Sequence, residues 1–250
     1  YAQNSSLSNI HCSNITINNT KSGAAVTGGL VGYMFAGVLR YASFQGIIYA
    51  PDAYRVAGIV GQALGSLGDI EIDQVSTEVT ITADGSEEGI GGGFALLGSG
   101  TFRTATITDI SVVATINTES PVSGFTPLFA NSGNMVINRT YAAVSSTSSG
   151  LRYGYVSDAS SDGTVSVSNS FWDTDLIATT TGWGSSSYTL SGGITGKTTS
   201  EMKALATYTD TDTVGLTNAW DFVGNHNNDG GSWSYWNLSS SINSGYPYLT

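Results

Sequence analysis

Apolar and polar residues alternate in short runs along most of this chain. Asn14-Ile15-Thr16-Ile17, Ser43-Phe44-Gln45-Gly46-Ile47-Ile48-Tyr49, Glu78-Val79-Thr80-Ile81-Thr82, Ser111-Val112-Val113-Ala114-Thr115-Ile116 and residues 140–144 are built largely of Thr, Ile, Val and aromatic residues in this pattern. A period of two predicts half-buried β-strands. After each run comes a glycine followed by apolar residues: Gly29-Leu30-Val31-Gly32, Gly58-Ile59-Val60-Gly61, Gly92-Gly93-Phe94, Gly124-Phe125 and, more degenerately, Gly154-Tyr155-Val156. The anchors Gly29, Gly58, Gly92, Gly124 and Gly154 are spaced 29, 34, 32 and 30 residues apart.

A repeat of roughly thirty residues, read as strand, turn, strand, turn, cannot bury an apolar face alone and must stack on its neighbours. The chain therefore predicts an all-β fold, a β-solenoid of about five units over residues 1–163. The anchor glycines should lie in register along one side, at corners where positive φ and close approach of successive coils suit glycine. A phosphate-binding loop would need a Lys and a following helix, and neither is present.

Residues 164–250 read differently. Four of the five Trp, at 183, 220, 233 and 236, lie beyond residue 180, and Thr198-Thr199-Ser200-Glu201 has capping-box spacing that predicts one short helix over 199–206. This segment is expected to be an aromatic-rich C-terminal cap, with Trp220, Phe222, Trp236 and Tyr246 packed onto the last coil.

The glycine-apolar stretches, strong in the first two units, resemble the GLUG-motif repeats of bacterial secreted and surface adhesin-like proteins. Asn169-Ser170-Phe171-Trp172-Asp173-Thr174-Asp175, Gly193-Ile194-Thr195-Gly196-Lys197-Thr198-Thr199-Ser200-Glu201-Met202-Lys203, Trp220-Asp221-Phe222-Val223-Gly224 and Gly245-Tyr246-Pro247-Tyr248-Leu249 resemble, in order, the closing region that often follows such repeats. The resemblance implies an extracellular or cell-surface structural and adhesive protein.

Charge narrows the partners. Eight Lys and Arg against nineteen Asp and Glu give a net charge of −11, which repels nucleic acid and anionic lipid. No apolar run approaches the ~18 residues of a membrane span. The single cysteine, Cys12, excludes an intrachain disulfide and has no base near it in sequence. A start at Tyr1 fits a processed or excised product. Asn4, Asn14, Asn18, Asn138 and Asn237 head glycosylation sequons.

Three places invite chemistry. Asp69, Glu71 and Asp73 alternate on one strand and share a face, a row able to bind a hard cation or serve as acid and base, or simply to solvate the face and discourage edge pairing. Asn225-His226-Asn227-Asn228-Asp229-Gly230 imitates the start of a calcium loop, but the twelfth position is Trp236, where a bidentate Glu is required. His11 and His226 fall in no zinc-binding motif, and there is no Gly-x-Ser-x-Gly elbow.

The residues thus predict no enzyme, no cofactor and no resident metal. They predict a structural solenoid that self-associates through its N-terminal end, with segment 1–9 as the exchanged element. Two other readings remain: a glycan-binding module using Trp183, Trp233 and Trp236, and a β-helical polysaccharide-active enzyme.

Overall fold

The computed structural model describes residues 2–21, 23–83, 89–100, 103–130, 133–150, 152–160, 163–179, 181–184, 190–224 and 235–250. Each repeat forms three strands. The first coil holds β1 (Ser5–Asn18), β2 (Gly23–Gly28) and β3 (Val31–Met34), and the second β4 (Gly37–Tyr49), β5 (Ala53–Ala57) and β6 (Val60–Gly65). The third comprises β7 (Ile70–Thr82), β8 (Ile90–Gly91) and β9 (Leu97–Ser99), and the fourth β10 (Thr104–Asn117), β11 (Val122–Ser123) and β12 (Thr126–Ala130). The fifth is β13 (Asn134–Ser146), β14 (Arg152–Tyr153) and β15 (Val156–Ser160).

Stacking continues past residue 163. Strands β16 (Thr164–Asp173) and β17 (Leu190–Lys197) extend the long sheet, with the short helix α1 (Thr174–Ile177) between them. Residues 181–184 prolong the corner beside β14 and β15, where Gly154 N–H donates to Thr181 O at 2.9 Å and Val156 N–H to Gly182 O at 2.9 Å. Three parallel sheets result: β1-β4-β7-β10-β13-β16-β17, β2-β5-β8-β11-β14 and β3-β6-β9-β12-β15. The expected two strands per unit are therefore three, because the glycine corner separates two short strands that the alternation pattern does not resolve.

The anchor glycines form a column between the second and third sheets. Gly29 N–H donates to Ala57 O at 3.1 Å, and Gly58 N–H to Gly92 O at 3.1 Å. A Cβ on Gly92 would collide with Gly124 O and lie 2.8 Å from Val144 Cγ2 and 2.9 Å from Val112 Cγ1. None of the five has positive φ, so close approach between coils, not left-handed backbone, selects glycine here.

Left-handed backbone appears instead inside the long strands. Asn9, Tyr41, Gln74, Asp109, Arg139 and Asn169 have φ between 48° and 56° and occupy one register position. At each of them the inward alternation slips by one. In β7, Ile70 and Ile72 point inward before the slip, and Val75, Thr77, Val79 and Ile81 after it. Non-glycine residues pay roughly 1 kcal/mol for this conformation, which the in-register stack imposes six times.

The solenoid core is continuous from Leu39 to Trp172, and includes an aromatic stack in which Phe125 lies 5.2 Å from Phe94 and 4.5 Å from Tyr155. The predicted helix of residues 199–206 is two short helices, α2 (Thr199–Met202) and α3 (Ala206–Thr209). The capping box is present, with Thr198 N–H donating to Glu201 Oε2 at 2.8 Å and Glu201 N–H to Thr198 Oγ1 at 3.3 Å. The chain ends in an antiparallel pair, β18 (Trp236–Asn237) with β19 (Tyr248–Leu249).

Candidate functional site

Most candidate groups of the repeats lie on or beside the outer face of the seven-stranded sheet, whereas Cys12 packs against the solenoid core. That face divides into a covered part and a bare part. The covered part carries the C-terminal segment from Thr198 onward, which packs against the flank of the stack. The aromatic cluster expected near the C-terminus is present, and it docks along the side of the later coils. The outward side chains Tyr141, Ala143 and Phe171 form a second apolar core with Met202, Tyr208, Leu216, Trp220, Phe222, Trp236 and Tyr246. Ring centroids lie 4.6 Å apart for Trp220 and Trp236 and 4.7 Å apart for Trp220 and Tyr208.

Polar contacts fix the flank segment in place. The Tyr141 hydroxyl donates to Pro247 O at 2.6 Å and receives Asn243 Nδ2 at 2.7 Å; burial pushes the phenol well above its ordinary range. Tyr246 Oη donates to Asp173 Oδ2 at 2.7 Å, and Asp173 also caps α1 through Asp175 N–H at 2.9 Å. Asp109, 2% exposed, receives a bidentate fork from Arg139 at 2.7 and 2.6 Å and the Trp236 indole N–H at 2.8 Å. Asp109 and Arg139 were not singled out from sequence, yet they stand thirty residues apart, which is the repeat itself.

The acidic row lies on the first half of the same face, and each carboxylate is committed to a neighbouring coil. Asp69 Oδ1 accepts Thr104 N–H at 2.9 Å, Glu71 pairs with Arg40, whose Nε donates at 2.9 Å, and Asp73 Oδ1 accepts the Thr108 hydroxyl at 2.7 Å. Among the described residues no three His, Cys, Asp or Glu side chains converge as a metal site. The row reads as an inter-coil ladder.

Burial, followed by the nearby charge of Asp109, raises the Asp73 carboxyl above its ordinary value, against the Thr108 hydrogen bond and Arg40. A raised native value means that the folded state holds the proton more tightly than the unfolded chain. Stability therefore falls as pH rises from the unfolded carboxylate range through the folded value. Asp73→Asn is expected to be neutral or stabilising at pH 7 in urea titration, with any gain vanishing at pH 3. A clear loss of stability at pH 7 would mean that the ionised group is favourable where it sits.

The remaining candidates scatter. Asn4, Asn14 and Asn18 are exposed in or beside the first coil, whereas Asn138 Oδ1 accepts Ser168 Oγ at 3.1 Å and Asn169 Nδ2 at 2.9 Å, and Asn237 is half-buried on β18. Trp236 is fully buried and offers no ring to a ligand; Trp183 is half-buried against the solenoid core. Trp233, the segment 225–230 and Tyr1 lie outside the described residues. His11 Nδ1 meets Ser43 Oγ at 3.0 Å, and Cys12 is a half-buried free thiol in the first coil.

The bare part of the face holds a trough. Between two columns of outward side chains on β1, β4, β7 and β10 lies a cavity of about 490 Å³, lined among others by Gln45, Ile47, Glu78, Thr80 and Thr115 and closed at one end by Ser244 of the flank segment. No helix among the described residues is long and apolar enough to cross a membrane. Comparison with protein-family models, with curated proteins and with solved structures returned no match.

Proposed function

We propose that this chain is a structural, adhesin-type β-solenoid of the extracellular or cell-surface kind, and that it joins other copies end to end. The first coil carries this reading. Among the described residues, strands β1 and β2 pair on one side only, and beneath them Leu7, Ile10, Cys12, Ile17, Ala25 and Leu30 are only half-buried, whereas Leu39, Ala42, Phe44 and Ile48 in the next coil are buried. Ala2 occupies the edge of β3 alone, donating to Tyr33 O at 2.8 Å and accepting Phe35 N–H at 3.0 Å.

An open strand edge above half-buried apolar side chains is a template for one more coil. A second copy supplying that coil would pair the edge and cover the side chains together, and a contact of this head-to-tail kind propagates where it does not close. The resemblance to GLUG-motif repeats supports the adhesive and surface part of the reading. The acidic row, engaged coil to coil, favours scaffold over hydrolase.

Light scattering across a hundredfold concentration range is expected to give a mass that rises with concentration. Ile10→Lys with Ile17→Lys should hold the protein at the mass of one chain while its β-type circular dichroism persists. A wild-type chain that keeps the single-chain mass throughout would refute the proposal.

A further inference from the structure

We infer that the trough on the outer face of β1, β4, β7 and β10 binds an uncharged polysaccharide chain lying along the solenoid axis. One wall is Gln45, Glu78 and Val113, and the other Thr16, Ile47, Thr80 and Thr115, with Asn14 at the open end. The walls are two residues apart on each strand, which sets them about 7 Å apart, and successive rungs repeat every ~4.8 Å. Four rungs thus offer about 14 Å of regularly spaced groups. A pyranose chain has a comparable repeat and is itself rigid and periodic.

The lining suits a sugar in its chemistry as well. Hydroxyls of Thr16, Thr80 and Thr115 and the Gln45 amide alternate with apolar surface from Val113 and from Ile47, which is 49% exposed. Sugars present hydroxyl edges and C–H faces to match. Gln45 Nε2 donates to Glu78 Oε2 at 2.9 Å, which holds both side chains in place and leaves the other carboxylate oxygen free of that bond as an acceptor.

Charge and backbone narrow the occupant. Glu78 is the one ionised group among the lining residues, in a chain of net charge −11, which disfavours uronates and sulfated polymers. An extended peptide would bind best by adding to a strand edge, but β4, β7 and β10 are paired on both sides and the one edge, that of β1, lies at the end of the trough rather than along its floor. Recognition must come from side chains, and these are hydroxyls, amides and a carboxylate.

Binding of this kind goes beyond end-to-end stacking and does not depend on it. The test uses the full chain on an immobilised panel of uncharged polysaccharides (glucans, mannans, xylans and chitin) beside polygalacturonate and chitosan, with oligomeric mass followed separately. Retention is expected on at least one uncharged polymer and on neither charged one. Thr80→Trp, which fills the trough, and Glu78→Ala, which shortens a wall, should each weaken it at least tenfold. Thr106→Trp, on the other half of the same face, should leave it unchanged. No retention on the panel, retention only on a charged polymer, retention unaffected by both trough variants, or equal loss in the Thr106→Trp control would overturn the inference.

Discussion

Trp220→Ala is expected to cost about 3 to 5 kcal/mol, the range for removing a large aromatic from a packed interior. Trp220 is fully buried, lies within 6.5 Å, centroid to centroid, of Tyr141, Phe171, Tyr208 and Trp236, and donates its indole N–H to Asn169 O at 3.2 Å. It belongs to the flank core rather than the solenoid core. The two can therefore be separated by spectroscopy: the variant should lose near-ultraviolet dichroism from the aromatic cluster at low urea while keeping its far-ultraviolet β signal. A cost below about 1 kcal/mol would be far outside what an interior tryptophan shows, and would mean that the flank segment is undocked in solution.

Gly92→Val should be comparably severe, for the opposite reason. It inserts volume where there is none, since the first added carbon already meets Gly124 O, Val112 and Val144. Overpacking ordinarily costs about 1 to 3 kcal/mol, and the upper end or beyond is expected here because one of the obstructing atoms is backbone that cannot rotate away. Gly193→Val supplies the control: Gly193 sits in β17, and a Cβ there meets nothing within 4 Å among the described residues. Urea midpoints of the two variants should separate clearly. If both shift equally, intercoil contact is not what the glycine column provides.

The repeat was legible because stacking forces the same solution at the same interval. Glycine, the Ile-x-Ile and Val-x-Val runs and the residue after each anchor recur every thirty or so positions, and the structure sets those positions above one another. The third strand of each coil was not legible, since elements as short as Ile90–Gly91 contain too few residues to express a period. The left-handed column left a faint mark, two adjacent outward polar residues in Ile72-Asp73-Gln74-Val75, which reads as noise until neighbouring coils are compared.

The place where the aromatics dock was not legible for a similar reason. Aromatic content said that residues 164–250 cover something, but not what. The signal lay elsewhere, in Tyr141-Ala142-Ala143-Val144 and Phe171-Trp172, where apolar residues fill both parities of a strand and so announce burial on both faces. The acidic row was visible as a row, while its engagement required pairing Arg40 with Glu71 and Thr108 with Asp73 across one repeat. The trough needed the stack itself, because its walls come from four different coils.

The flank contacts also set an order of assembly during synthesis. Coil-to-coil hydrogen bonds such as Ser111 to Tyr141 and Thr140 to Ser170 join residues 30 apart, so each turn can close soon after it is made. The bonds from Trp236 to Asp109 and from Tyr141 to Pro247 span 127 and 106 residues. Closing those longer loops costs little extra entropy, but their partners do not exist until almost the whole chain has been made. The sequence separations therefore allow the stack to be laid down turn by turn, with Tyr141 and Phe171 bare on its side until the flank segment docks. The last fifty residues arrive as a latch on a body already formed, and until then those two rings are the exposed surface that a chaperone or a neighbouring nascent chain would meet.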